Sequence, residues 1–129
     1  MLYYSALLFW TITLHAAHVH DLLAVALFSL LTPISVLTHG KYHDQFPGKS
    51  LIYALDVVLA SGIPLYGIIN TKPDNSLAYC AFIYAATFNA YAYSCHIFKK
   101  HDRKALVFHI LMHIHMVIAG HAYLIQNHW

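Results

Sequence analysis

The sequence predicts an all-α membrane protein, a bundle of about five transmembrane helices forming one domain over residues 1–129. Three observations lead there. Hydrophobic residues make up 60% of the chain and charged residues 9%, against roughly 45–50% and about 25% in an ordinary soluble domain. Seven Lys/Arg and five Asp/Glu, with a mean hydropathy of +0.57, cannot cover a water-soluble globule of this size. The apolar residues also fall in four long blocks between short polar breaks, all but the first near the roughly 20 residues that cross a bilayer core. This composition excludes a soluble enzyme, a disordered tail and a nucleic-acid-binding module, which would need a basic surface. Against this background, 12 His and 10 Tyr stand out.

The first apolar block, from Leu2 to Thr38, is too long for one span. The cluster His15, His18, His20 and Asp21 divides it, and Asp21 before Leu22-Leu23 is a good helix N-cap. A short span over 1–17 and a second over 22–40 follow. The start of the chain lacks the basic segment and small-x-small cleavage site of a signal peptide, so 1–17 is read as a real span. Pro47-Gly48 marks a loop over 41–49, and a third span carrying Asp56 and Pro64 covers 50–69. Lys72-Pro73-Asp74 is a tight turn before a fourth span over 77–94. The basic run Lys99-Lys100-His101-Asp102-Arg103-Lys104 precedes the fifth, over 105–126. Cys80 and Cys95 are 15 positions apart, about 22 Å along a helix. That is too far for a disulfide within the chain, and both are expected to be packing residues.

Alternating spans place the 41–49 and 98–104 loops on the same side as the N-terminus. Lys41, Lys49, Lys99, Lys100, Arg103 and Lys104 lie on that side, against Lys72 alone on the other. The bias predicts that these loops face the cytoplasm and that the C-terminus lies outside. Lys99, Lys100, Arg103 and Lys104 are expected to contact anionic lipid headgroups.

An ionisable residue inside a span is costly and therefore a functional candidate. Asp56 lies about 10 Å into the third span from the basic side. His39 ends the second span on that side, and His109 and His113 enter the fifth span from it. Three separate helices thus bring one carboxyl and three imidazoles to the same leaflet. His109-Ile-Leu-Met-His113 is an i, i+4 pair, which projects both rings from one helix face. Ser35-Val-Leu-Thr-His39 has the same spacing and sets a hydroxyl beside the third ring. Three neutral imidazoles form the usual open, catalytic type of zinc site, and a carboxylate such as Asp56 can take a proton from water activated there.

The order Ser35-x3-His39, then Asp56, then His109-x3-His113 in the last span resembles the CREST superfamily of membrane hydrolases. That group includes alkaline ceramidases, progestin/adiponectin-receptor-like proteins and the hemolysin III family. The interval from Ser-x3-His to Asp looks most like the adiponectin-receptor and hemolysin III branch. The resemblance covers residues 35–56 and 105–121. It implies zinc held by His39, His109 and His113, with Ser35 and Asp56 as the catalytic pair beside the activated water. It also implies hydrolysis of a membrane lipid amide such as ceramide, or of a related ester. Family members have seven spans where five fit here, which leaves the family's cavity incomplete or completed by another copy of the chain.

Two readings of other classes compete. One is a b-type haem anchor, with His113 or His121 facing His39 or His96. The other is a non-catalytic subunit of a membrane complex whose histidines are interfacial. A di-iron hydroxylase would need several histidine boxes, including an HxxHH type that is absent. The remaining histidines are expected to serve elsewhere. His15, His18 and His20 lie toward the outer surface, and His115 is about 200° round the helix from His113. His121 lies about 12 Å beyond His113, and His96 and His101 fall on the basic side.

Overall fold

In a computed structural model of the chain, residues 2–39, 49–97 and 103–127 are described. They form six helical segments and no strand: α1 (Leu2–Leu7), α2 (Phe9–His18), α3 (Leu22–His39), α4 (Lys49–Asn70), α5 (Ser76–Ile97) and α6 (Arg103–Asn127). The expected span over 1–17 is therefore two segments. At the break, the Leu8 amide bonds the Ser5 carbonyl and the Thr11 amide bonds the Leu8 carbonyl, both at i−3 spacing. This is a 3₁₀-type tightening. The Thr11 hydroxyl also donates to the Leu8 carbonyl at 2.6 Å. The other boundaries fall within a few residues of expectation, α5 running three residues further than expected. The loop around Pro47-Gly48 lies outside the described residues.

The turn between α2 and α3 is tight for a definite reason. The amide of His20 reaches back to Ala17 and that of Asp21 to Ala16, the bonding pattern of a Schellman cap. His20 takes the left-handed conformation this requires, with φ of 61°. Asp21 then caps α3 as expected, its Oδ1 accepting from the Ala24 amide at 3.0 Å. Across the bundle, Asn75 caps α5 by accepting from the Ala78 amide at 3.2 Å. Its side-chain nitrogen donates to the Ala122 carbonyl of α6 at 3.2 Å. One residue thus ends a turn and ties two helices together.

The helices pack in a closed ring. α1 and α2 lie against α3, α3 against α4, α4 against α5 and α5 against α6, while α6 returns to α1 and α2. Phe9, Ile12, Phe28, Leu31, Ile63, Phe82, Met112, Met116 and Leu124 fill the centre. Two glycines set the closest approaches. A Cβ at Gly67 would lie 2.5 Å from the Phe82 ring, and one at Gly120 would lie 2.8 Å from Ile12.

Three helices are long and apolar enough to cross a membrane: Leu22–His39, Ser50–Asn70 and Arg103–Gln126. Their outer faces carry large apolar side chains, with Leu22 and Ile69 each 80% exposed. So much bare hydrocarbon suits lipid and not water. Both cysteines are free, and Cys80 is exposed on the outer face of α5 where a packing role was expected.

Candidate metal centre

Each side chain of the centre is placed by its helix. α3 runs unbroken through Pro33 and delivers Ser35 and His39 one turn apart at its end. α4 carries Asp56 against them. The first turns of α6 set His109 and His113 on its inner face. The ring centroids of His39 and His109 are 4.5 Å apart, those of His109 and His113 4.9 Å, and those of His39 and His113 5.7 Å. One nitrogen from each ring lies within 4.8 Å of the others. Asp56 is 6% exposed, and its Oδ2 lies 3.6 Å from His39 Nε2. Ser35, also buried, lies beside the Asp56 carboxyl. All five residues singled out from the sequence for chemistry therefore meet at one end of the bundle.

The donor set suits zinc. Zinc–nitrogen bonds of about 2.0–2.1 Å bring a cluster of this width within small side-chain rotations of one coordination sphere. Asp56 Oδ1 is buried with no hydrogen-bond partner among the described residues. An unmet charged oxygen of this kind costs upward of about 1–3 kcal/mol. A cation, or a water with protons to donate, beside it would remove that cost.

Two contacts to the centre were not foreseen. The Ser5 Oγ of α1 lies 2.7 Å from His113 Nδ1, and the Phe9 ring stands edge-on to His113 with centroids 5.1 Å apart. The available signal was position alone. Ser5 shares with Phe9, Ile12 and Ala16 the buried stripe of the first helical stretch, and a polar residue in such a stripe needs a partner.

Three of the remaining histidines, His15, His115 and His121, make other contacts. His15 and His121 stack and share a hydrogen bond of 2.8 Å between their Nδ1 atoms. Because the Thr11 hydroxyl donates to Leu8, its oxygen accepts from His121 Nε2 at 3.0 Å. His121 Nδ1 is then the acceptor and His15 the donor. The result is a directed chain tying α2 to α6 some distance from the metal centre. His115 donates through Nδ1 to the Leu111 carbonyl at 2.7 Å and packs on Tyr84 and Phe88. His18 and His20 are exposed. Of the basic run, Arg103 and Lys104 are exposed at the start of α6, whereas Lys99, Lys100 and His101 lie outside the described residues, as does the side chain of His96.

No protein-family model, curated protein sequence or solved structure matches the chain.

Proposed function

We propose that the chain is a zinc-dependent intramembrane hydrolase of a lipid amide or ester, ceramidase-like in its chemistry. The observation that carries this reading is the convergence of three imidazoles and a carboxylate from three helices, with one nitrogen per ring inside 4.8 Å. His39, His109 and His113 hold the metal. When bound, zinc polarises the substrate carbonyl and lowers the pKa of water to about 7. Asp56 accepts a proton from the attacking water as its oxygen bonds to the carbonyl carbon. The same carboxyl then gives that proton to the leaving nitrogen or oxygen as the carbon–heteroatom bond breaks. Ser35 holds Asp56 in the orientation that both transfers require. The resemblance of Ser35-x3-His39, Asp56 and His109-x3-His113 to the CREST hydrolases supports this assignment and suggests the lipid substrate class.

In the same proposal the chain crosses the membrane five times. The metal centre then lies beneath the cytoplasmic headgroups, and the C-terminus lies outside. Arg103 and Lys104 support this orientation. Cations at a helix N-terminus oppose the helix dipole by about 0.3–1 kcal/mol each, so their placement answers to something outside the helix. Anionic headgroups would serve, each basic residue contributing about 1 kcal/mol. A second copy of the chain would complete a substrate cavity that five helices leave short.

Elemental analysis of the detergent-purified protein tests the assignment. About one zinc per chain is expected in the wild type, and none in His109→Ala or His113→Ala. Zinc that stays stoichiometric in both variants would overturn it. A Soret band in the wild type would favour haem instead, and bound zinc without hydrolysis of any ceramide or lipid ester would favour a non-catalytic subunit.

A further inference from the structure

The contact between Ser5 and His113 joins two residues 108 positions apart at 2.7 Å. His113 is 1% exposed and Ser5 9%, so water cannot readily substitute for either partner. Among the described residues Ser5 is the hydrogen-bond partner of His113. A neutral imidazole carries one proton, on one nitrogen or the other. A ring that offers Nε2 to a cation holds its proton at Nδ1, and that proton needs an acceptor fixed in the plane of the ring. Ser5 Oγ stands where such an acceptor belongs. Phe9, four positions later on the same buried stripe, closes on the ring at 71° to its plane and limits its rotation. The tightened turn at Leu8 lies between these two residues.

We propose that Ser5 is a positioning residue of the metal centre. By accepting from Nδ1 it fixes the tautomer and orientation in which His113 presents Nε2, which makes α1 part of the site. This rests on the metal-centre reading above and extends it to a helix outside the region of family resemblance. An oriented ligand binds more tightly and is more basic, and loss of such a supporting partner typically lowers metal affinity 10–100-fold.

The test compares zinc affinity, by chelator competition on the full chain in detergent, for wild type, Ser5→Ala and Ser5→Thr. The expected result is a 10–100-fold weakening in Ser5→Ala, recovery in Ser5→Thr, and little change in the thermal unfolding of the metal-free forms. Equal affinity in wild type and Ser5→Ala overturns the proposal while leaving the metal centre standing. A wild type that binds neither zinc nor cobalt overturns both. A measurement on the unaltered protein covers the case in which Ser5→Ala does not fold. Cobalt-substituted wild type should show a hyperfine-shifted, slowly exchanging N–H proton assignable to His113 Nδ1. If His113 is instead found bound through Nδ1, or its N–H exchanges as fast as a solvated one, the proposal is wrong.

Discussion

Asp56 lies beside Ser35 and faces His39, with one oxygen unmet by any described residue. That arrangement suits a group that receives a proton and passes it on. Asp56→Asn keeps the size and removes the basicity. The variant is expected to bind zinc normally and to hydrolyse its lipid 10²–10⁴-fold more slowly, the usual contribution of a general base. A rate equal to wild type would make Asp56 a structural acid. At this scale the centre was legible because charged and imidazole side chains stand out in apolar spans, where each is costly. Ser5 was not legible, since a helical Ser or Thr ordinarily returns its hydroxyl to the carbonyl four residues back. Thr32, Thr38, Thr87 and Ser94 all do so here. Nothing local marks Ser5 as a residue that reaches across to another helix.

Among the helices, α4 shows how backbone proximity is set by single positions. Its two interior glycines differ in what surrounds them: a Cβ at Gly67 would strike the buried Phe82 ring of α5, while one at Gly62 meets nothing within 4 Å. Gly67→Ala should lower stability by about 1–3 kcal/mol through overpacking, with part of the loss restored by adding Phe82→Leu. Gly62→Ala should be neutral or stabilising by up to about 1 kcal/mol, from helix propensity alone. Thermal unfolding of the three variants in detergent reads both, and equal effects at the two glycines would refute the packing argument. Helix ends were legible where a capping side chain marks them, as at Asp21. The break at Leu8 was not, because neither proline nor glycine announces it. Pro33 and Pro64, which look like breakers, sit inside continuous helices. Proline is tolerated in a span where neighbouring groups satisfy the freed carbonyl.

For the molecule as a whole, the all-helical character followed from composition, but the ring order of the helices could not, since apolar faces do not name their partners. The proposed orientation makes a direct prediction in a background carrying Cys80→Ser and Cys95→Ser. Lys104→Cys should react with a membrane-impermeant maleimide only from the cytoplasmic face, and Lys72→Cys only from the opposite face. Labelling of both from one side would reject the five-span topology. The clasp between α1 and α6 also bears on biogenesis. Ribosomes add about 5–20 residues per second, so some 5–20 s separate the synthesis of Ser5 from that of His113. For about the second half of that interval, once Asp56 has been added, the nascent chain holds His39 and Asp56 without both later imidazoles. Under the proposed reading, cation loading waits until the last helix has joined the ring, and occupancy would report on finished assembly.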